Sequence, residues 1–580
     1  MRHVVLTGFM GTGKTTVGRE VARRLDCPFV DMDAEIEARA GKSIPRIFAE
    51  DGEAAFRQME TALCEELHAR PSTRPLGFQK TLRVSPALSL VIATGGGTLV
   101  DPANRALMMD SGTVVCLTCA VDEILRRVEG AGNPDRPLLD VADRRVEIER
   151  LLESRRDAYR AIPWQVDTTD LSVAEVVVRV IEIAGAITLP VRYPGGTYPI
   201  HVGNGLLAHV GGALRAAGIP DGGRVAVVSN PVVAPLYGAQ VEAALRRAGL
   251  RPFACSIPDG ERHKTLATVA ALYDQFLAGK LDRSGTVLSL GGGVTGDVAG
   301  FAAATFMRGV RFAQVPTTLL AMVDASVGGK TGVDLPQGKN LAGAFKQPEM
   351  VLIDPTVLTT LPPEEIRSGM AELIKHSVIA DPGLFAELEE GDKGGGKQGS
   401  PSSSLLSHLS SLLSSPSLIA RALRVKIDVV EEDPFEGGRR AVLNLGHTAG
   451  HALERLSGFT LRHGEAVGIG MVAAARIAVK LGRADPSLAG RVEGILAAWG
   501  LPVRCPPFQY EGKRSGSFPY EGKHSGSFDA DAIWEAMAHD KKRRGRSLRW
   551  VLPNAIGEVE ITEDVPRDAV IAVLRDLGAD

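Results

Sequence analysis

A glycine-rich segment near the amino terminus limits the possible folds of this chain more than any other feature. Residues 8–15 are GFMGTGKT, which fits the pattern G-x-x-x-x-G-K-[ST]. An apolar run, Val4–Thr7, precedes the segment, and a helical pattern begins near Thr15. A loop of this kind between a strand and a helix holds phosphate through backbone N–H groups. The segment therefore predicts a nucleotide-binding domain built on a parallel sheet, and a glycine-rich turn without nucleotide is the alternative.

The same loop predicts a site for ATP and Mg²⁺. Lys14 is expected to bridge the β- and γ-phosphates, and the hydroxyl of Thr15 is expected to bind Mg²⁺. Asp31 and Asp33 follow at a predicted strand end, where alternation turns both carboxylates to one side. One of them could help hold the metal while the other accepts a proton from an acceptor hydroxyl, and the predicted Mg²⁺ ligands are Thr15 and Asp31. The predicted ATP-binding residues of the loop are Gly11, Thr12, Gly13, Lys14, Thr15 and Thr16.

Length and composition restrict the class of protein. A chain of 580 residues predicts three or four folding units. The net charge of −3 gives no basic excess for nucleic acid, and no apolar run approaches a membrane span. Six scattered cysteines and an amino terminus that enters a strand directly predict a cytoplasmic protein without a signal peptide. Cys116 and Cys119 form a CxxC pair, for which a buried strand is preferred over redox or metal use.

The apolar pattern predicts an α/β fold in several parts. Short apolar runs alternate with amphipathic helical stretches up to about residue 185. The Pro- and Gly-containing segment Ile187–Thr197 is interpreted as a tether, and a new strand is predicted at Tyr198–Val202. The expected order is a P-loop parallel-sheet domain (1–185), a linker (186–197), a second α/β domain (198–360) and a mainly helical domain (361–580). In the last of these, helices are predicted at Ala441–Leu456 and Glu465–Leu481.

Three stretches are predicted to be insertions. Residues 71–89 lack periodicity, and residues 391–418 are a low-complexity run of Gly, Ser and Leu. Residues 508–527 are a tandem decapeptide, FQYEGKRSGS followed by FPYEGKHSGS. Two copies are too few for a solenoid, so a duplicated surface loop is predicted.

Further residues of the first part carry a family resemblance. Phe56-Arg57, the triplet Gly95–Gly97, the run RPLL from Arg136 and the later Arg155 accompany the phosphate loop and Asp33. Together they resemble shikimate kinase over nearly all of residues 1–175. The resemblance implies that Arg136 lies on a lid and meets the phosphates, and that Lys14, Asp33 and Arg136 are catalytic. It also implies a shikimate site made of Asp33, Arg57, Gly95, Gly96, Gly97 and Arg155. A non-catalytic nucleotide-binding regulator is the alternative.

The second part combines a glycine turn with potential metal ligands. Gly291-Gly292-Gly293 follows a predicted strand and admits a pyrophosphate, with Asp297 close behind it. His447 and His451 share one helix face at i, i+4. Position 448 is Thr rather than Glu, which disfavours a zinc peptidase. Lys541–Arg544 is a basic run that could be a solvated or nucleic-acid-binding segment, but the net charge of −3 and the preceding His539-Asp540 favour an anion pocket.

Residues 190–580 resemble 3-dehydroquinate synthase almost throughout. The resemblance implies NAD and a Zn²⁺ or Co²⁺ ion held by Glu372, His447 and His463. It implies an NAD site made of Asn230, Glu261, Lys264, Gly292, Asp297, Thr317, Thr318, Lys339 and Thr360. It implies a phosphosugar pocket made of Arg308, Lys330, Lys339, Asn340, Lys375, Lys426, Arg440, Asn444 and Lys541, with Lys542 as an alternative to Lys541.

The implied chemistry converts 3-deoxy-D-arabino-heptulosonate 7-phosphate to 3-dehydroquinate and phosphate, with NAD⁺ reduced and regenerated in each turnover. Proton handling or orientation is assigned to Asp324, Lys330, Glu436 and His451. A metal-dependent polyol or alcohol dehydrogenase is the alternative for this part. We also expect a homodimer through the synthase half, and small molecules rather than nucleic acid or membrane as partners.

Overall fold

The computed structural model describes residues 3–69, 90–130, 143–393, 415–512, 522–542 and 548–580. The predicted insertion 71–89, most of 391–418 and the lid residue Arg136 lie outside these residues. The described chain packs into two units. The first unit is Met1–Ala186 with Gly203–Gly223 and Ala243–Arg251, and the second is Ile187–Val202, Arg224–Glu242 and Pro252–Asp580.

The first unit contains a five-stranded parallel sheet in the order β2-β3-β1-β4-β5. Its apolar strands are buried because helices cover both faces of a parallel sheet. The strands are β1 (His3–Gly8), β2 (Phe29–Asp31), β3 (Val91–Ala93), β4 (Gly112–Thr118) and β5 (Trp164–Asp167). The helices that follow the sequence to residue 184 are α1 (Lys14–Leu25), α2 (Met32–Ala40), α3 (Ile44–Glu50), α4 (Gly52–Ala69), α5 (Pro102–Ser111), α6 (Val121–Gly130), α7 (Arg144–Arg160) and α8 (Val173–Ala184).

The second unit contains a seven-stranded mixed sheet in the order β6-β7-β14-β11-β10-β8-β9. Its strands are β6 (Ile187–Tyr193), β7 (Gly196–Val202), β8 (Arg224–Ser229), β9 (Arg251–Ser256), β10 (Thr286–Gly291), β11 (Arg311–Pro316) and β14 (Val351–Ile353). A separate antiparallel pair consists of β12 (Lys330–Leu335) and β13 (Gly338–Phe345). Of the helices between residues 203 and 305, α9 (Val210–Ala216) belongs to the first unit, α10 (Ala239–Arg247) has residues in both units, and α11 (Leu266–Ala278) and α12 (Gly293–Thr305) belong to the second.

The remainder of the second unit is mainly helical. Its helices are α13 (Pro363–Ala380), α14 (Pro382–Lys393), α15 (Pro416–Glu432), α16 (His447–Leu456), α17 (His463–Lys480), α18 (Ser487–Ala498), α19 (Ala530–Lys542) and α20 (Arg567–Asp576). Two hairpins accompany them, β15 (Phe508–Gly512) with β16 (Gly522–Gly526) and β17 (Trp550–Ala555) with β18 (Glu558–Thr562). The predicted α/β class and its helical final part are confirmed. Among the described residues, no helix is both long and apolar enough to span a membrane.

The predicted tether at Ile187–Thr197 is wrong, because this segment belongs to the sheet. Strand β6 pairs antiparallel with β7, and Pro194-Gly195 forms the turn between them. Leu189 and Val191 are buried, while Pro190 and Arg192 are exposed, as expected for a strand with one solvent face. Proline is tolerated here because β6 is at the edge of the sheet.

Two other predictions need correction. The predicted helix Ala441–Leu456 is broken, since a 3-10 helix spans Arg439–Asn444 and α16 begins only at His447. Gly446 has a φ of 79°, a left-handed conformation that ends the first segment. The tandem repeat was predicted to be a loop, but the start of the first copy and the end of the second pair as β15 and β16.

Candidate active sites

The glycine-rich loop of the first unit connects β1 to α1. Gly8, Gly11 and Gly13 have φ values of 134°, 80° and 92°, which residues with a side chain rarely adopt. The Nζ of Lys14 lies across the loop and donates to the carbonyl oxygens of Gly8 at 2.9 Å and Phe9 at 3.1 Å. The positive end of the α1 dipole and the Lys14 ammonium group therefore face the same loop, which suits a phosphate chain.

Asp31 and Thr15, the two expected Mg²⁺ ligands, are in contact. Thr15 Oγ1 donates to Asp31 Oδ2 at 2.7 Å. Asp31 ends β2 and caps α2, where its Oδ1 accepts the backbone N–H of Asp33 at 3.2 Å. Asp33 is thus a residue of the first turn of α2, and the predicted strand alternation does not explain its position. A helix cap brings the two carboxylates together instead.

The Asp33 carboxyl is half-buried next to charged groups. Burial raises the pKa of Asp33 to about 6, with Lys14 acting to lower it and Asp31 and Glu60 acting to raise it. A carboxyl group that titrates in this range can accept a proton near neutral pH.

The glycine triplet that follows β3 lies against the other predicted acceptor-site residues. A Cβ on Gly95 would lie 2.7 Å from Asp33 Oδ1, and one on Gly97 would lie 2.5 Å from Arg57 Nη1. The Gly96 carbonyl oxygen accepts from Arg155 Nη1 at 3.1 Å. The structure therefore brings Asp33, Arg57 and Arg155 to one turn, at the edge where β1, β2 and β3 end.

Two residues near this site were not predicted. Glu60 is buried on α4 and accepts from Arg57 Nη1 at 2.7 Å and from Thr98 Oγ1 at 2.5 Å. Because residues i and i+3 share a helix face, the position of Glu60 three residues after Arg57 could have predicted this contact. Arg127 donates to Thr168 and to the Gly11 carbonyl oxygen of the phosphate loop.

In the second unit, the predicted NAD residues follow the carboxyl ends of parallel strands. Asn230, Gly292 and Thr317 come directly after β8, β10 and β11, which are neighbours in the sheet. Asn230 Nδ2 donates to Asp259 Oδ1 at 2.7 Å, and the Thr317 N–H donates to the Gly291 carbonyl oxygen at 3.0 Å. Ligands of open α/β sheets bind at this kind of edge.

Charged residues lie between the ends of these strands and the β12–β13 pair. Lys264 is buried, with its Nζ 2.6 Å from Asp297 Oδ2 and 2.6 Å from Asn340 Oδ1. Lys339 Nζ lies 3.6 Å from Glu261 Oε1. A Cβ on Gly292 would meet the Thr318 side chain at 3.0 Å, while the Thr360 hydroxyl lies 2.6 Å from that of Tyr237.

Glu372, His447 and His463 converge, as expected for metal ligands. They come from α13 and from the first residues of α16 and α17. Glu372 Oε1 lies 3.6 Å from His447 Nε2 and 3.4 Å from His463 Nε2. Glu372 is fully buried; Lys375 pairs with its Oε2, and the two histidines face its Oε1. One carboxylate and two imidazoles that converge in this way fit a divalent cation such as Zn²⁺.

The charge states of the cluster follow from its neighbours. Burial alone would raise the pKa of Glu372, but Lys375 and the two histidines lower it well below its usual value. Burial lowers the pKa of His447 to about 3. Burial also acts to lower the pKa of His463, but Glu372 and Glu454 raise it to about 10. An ionised carboxylate and a neutral imidazole are metal-binding forms, whereas His463 must release a proton to bind.

A cationic group lies beside these ligands. Lys375 forms an ion pair with Glu372, and Lys426 Nζ lies 2.7 Å from Asp324 Oδ1. Arg440 is buried and donates to the Pro434 carbonyl oxygen at 2.7 Å. Buried ammonium and guanidinium groups of this kind suit a substrate with phosphate and carboxylate groups.

The other predicted pocket residues are more exposed. Lys330 pairs with Glu436 at 2.6 Å, and both are solvent-accessible. Arg308 and Asn444 are exposed, and Lys541 is on α19 with its side chain outside the described residues. His451 is exposed one turn after His447, with its ring centroid 5.1 Å from that of His447. His376 and Glu454 are buried at this site and were not predicted.

Family models match both parts of the chain. Residues 10–73 and 78–184 match the shikimate kinase model. Residues 254–368 match the 3-dehydroquinate synthase N-terminal model, and residues 369–543 match its C-terminal model.

Curated relatives and a solved structure cover the second part. A Synechococcus 3-dehydroquinate synthase is 44% identical over 398 residues, covering 68% of this chain and 99% of the relative. A Synechocystis 3-dehydroquinate synthase is 45% identical over 390 residues, covering 67% and 99%. The 2-epi-5-epi-valiolone synthase of Streptomyces hygroscopicus, solved with NAD⁺ and Zn²⁺, is 28% identical with a TM-score of 0.54, covering 66% of this chain and 96% of that one. This chain belongs to the 3-dehydroquinate synthase family and carries an amino-terminal shikimate kinase domain, so it is an enzyme with both activities.

Proposed function

We propose that the synthase reaction of the second unit uses a zinc or cobalt ion held by Glu372, His447 and His463 together with bound NAD⁺. The convergence of the buried Glu372 carboxylate with the imidazoles of His447 and His463 carries this proposal. When bound, the two groups supply a Lewis acid and a hydride acceptor. The 2-epi-5-epi-valiolone synthase, whose structure holds NAD⁺ and Zn²⁺, supports the same cofactor pair here.

The surrounding residues have separate proposed roles in this reaction. Asn230, Glu261, Lys264 and Asp297 hold NAD⁺ at the ends of β8 and β10, with Gly292, Thr317, Thr318, Lys339 and Thr360 completing the site. The cations hold the phosphate and carboxylate of the heptulosonate phosphate, through Lys330, Lys375, Lys426, Arg440, Arg308 and Lys541 with Asn340 and Asn444. Asp324, Glu436 and His451 hold or move protons on the substrate.

For the kinase reaction, we propose that the loop Gly11–Thr16 binds ATP. Lys14 moves from the loop carbonyl oxygens to the phosphates, and Thr15 and Asp31 hold Mg²⁺. Asp33 accepts the proton of the reacting shikimate hydroxyl, and its raised pKa suits this role. Arg57 and Arg155 hold the shikimate carboxylate beside Gly95–Gly97, and Arg136 meets the phosphates.

Phosphate release from 3-deoxy-D-arabino-heptulosonate 7-phosphate tests the cofactor proposal. The protein is stripped with a chelator, dialysed, and assayed with NAD⁺, with and without added Zn²⁺ or Co²⁺. We expect synthase turnover to disappear and to return with either metal, while shikimate phosphorylation with Mg²⁺ stays unchanged throughout. Full synthase turnover in demonstrably metal-free protein would contradict the proposal. The expected homodimer and cytoplasmic location stay predictions, and light scattering of the purified protein tests the first.

A further inference from the structure

The imidazole of His463 lies between two buried carboxylates. Its Nε2 is 3.4 Å from Glu372 Oε1, and its Nδ1 is 3.4 Å from Glu454 Oε2. Glu372 is on α13 and Glu454 is in the last turn of α16. The two ring nitrogens therefore face different carboxylates, and Glu372 Oε1, which Nε2 faces, also lies 3.6 Å from His447 Nε2.

We propose that Glu454 is a positioning residue for the metal ligand His463. A carboxylate at Nδ1 keeps the proton on that nitrogen and leaves the Nε2 lone pair directed at Glu372 and His447. It also fixes the rotation of the ring before any cation arrives. This inference rests on the proposed function of Glu372, His447 and His463 as metal ligands.

The location of Glu454 is unfavourable without such a role. It is 6% exposed, and a buried carboxylate is costly unless it is paired. It also stands near the carboxyl end of α16, where the helix dipole disfavours negative charge. The ion pair with His463 offsets both effects. A glutamate without a charged partner at this position would therefore destabilise the folded protein.

Glu454 lies on the same face of α16 as two histidines. Glu454 comes seven residues after His447 and three after His451, so all three share one face of the helix. The loop from Ser457 to Arg462 then returns the chain to His463. One short helix–loop–helix segment therefore supplies two of the proposed metal ligands and the group that orients one of them.

Cobalt binding to the full chain tests this role without relying on turnover. The Glu454→Gln variant keeps the shape of the side chain but loses its charge, and Co²⁺ affinity is measured by visible absorption in competition with a chelator. We expect the dissociation constant to rise about 10- to 100-fold, with the melting temperature of the metal-free protein nearly unchanged. Glu454→Asp, which keeps the charge on a shorter side chain, should give a smaller rise.

Glu465→Gln is the matched control. Glu465 is also a glutamate at the start of α17, but its Oε2 accepts the backbone N–H of Arg462 at 3.0 Å, whereas the ring nitrogens of His463 face Glu372 and Glu454. We expect its cobalt affinity to stay within about twofold of the unmodified protein.

The possible outcomes separate this inference from the proposed function. Native cobalt affinity in Glu454→Gln, with a lowered melting temperature, would make Glu454 a structural residue and overturn the inference. If Glu454→Gln does not fold, native affinity in Glu454→Asp overturns it equally. If the unmodified protein binds no Co²⁺ at one equivalent, the proposed metal site itself fails. Weakened binding in both Glu454 variants, with Glu465→Gln unaffected, supports the inference.

Discussion

The phosphate loop of the first unit and the metal cluster of the second unit are built in opposite ways. Residues 8–15 form the loop almost alone, and its proposed ligand contacts come mostly from the backbone of one turn. The cluster takes Glu372, His447 and His463 from three helices, and the first two are 75 residues apart. The loop is thus encoded locally, whereas the cluster depends on how helices pack. Substitutions distant from the ligands should therefore affect the metal cluster more than the phosphate loop.

Glycines set the helix spacing on which the cluster depends. A Cβ on Gly470 of α17 would overlap the Gly446 carbonyl oxygen, which directly precedes α16. A Cβ on Gly464 would overlap the backbone of Ser368 on α13. Because these backbones touch, the distances between the three proposed ligands are fixed by residues that bind nothing themselves.

Removal of a proposed metal ligand should have the largest effect. We expect His447→Ala to lower synthase turnover by more than about 100-fold, because the cation loses one of its three protein ligands. Shikimate phosphorylation measured on the same sample should be unchanged. Equal loss of both activities would indicate general damage and would remove the support that this variant gives to the metal site.

Loss of the loop lysine should give the reverse pattern. We expect Lys14→Ala to reduce kinase turnover by about 10²- to 10³-fold, since a cation that meets transferring phosphate acts mainly in the transition state. Phosphate release by the synthase serves as the internal control and should not change. Undiminished kinase turnover in this variant would rule out the assigned role of Lys14.

A packing substitution distant from the ligand atoms tests most directly whether the metal cluster depends on helix packing. We expect Gly470→Ala to destabilise the second unit by about 1–3 kcal/mol and to weaken metal binding, because α16 and α17 must move apart. The control is Gly490→Ala on α18, where an added Cβ meets nothing within 4 Å. Denaturant unfolding and cobalt titration measure the two effects. Identical behaviour of both variants would show that the cluster does not depend on this helix contact.

The smallest effect is expected for the tandem repeat. Within the part of the chain that the structure describes, the pair β15–β16 joins no other sheet, and an isolated two-stranded hairpin adds little stability. Deletion of Phe508–Ser517 should therefore change the free energy of unfolding by less than about 1 kcal/mol and leave both activities within about twofold. Unfolding of the second unit after this deletion would show that the hairpin is part of its packed structure.

The sequence was most informative where a site is local. The loop motif predicted a strand, a turn and a helix, and β1 and α1 confirm them within a residue or two at each end. Glu60 was missed because its importance depends on α4 packing beside the Gly95 turn, which no local pattern records. Glu454 was missed for the same reason, since the partner that gives it a role lies across a loop.

Breaks in regular structure were harder to predict from residue type. Pro190 and the glycines near it indicated a tether, although their effect depends on whether a strand is at a sheet edge. The apolar pattern predicted one helix across Ala441–Leu456, because periodicity does not detect a left-handed glycine at position 446. For β6, the pairing with β7 rather than the residue types decided the local conformation.

The edge strand β6 also bears on the behaviour of the protein at high concentration. An unprotected sheet edge can recruit a strand from another molecule and start aggregation. Pro190 offers no N–H to such a strand, and the N–H of Arg192 is already donated to Glu431 Oε1 on α15 at 2.7 Å. The stretch of prolines and glycines that resembles a tether thus closes this side of the sheet to intermolecular growth.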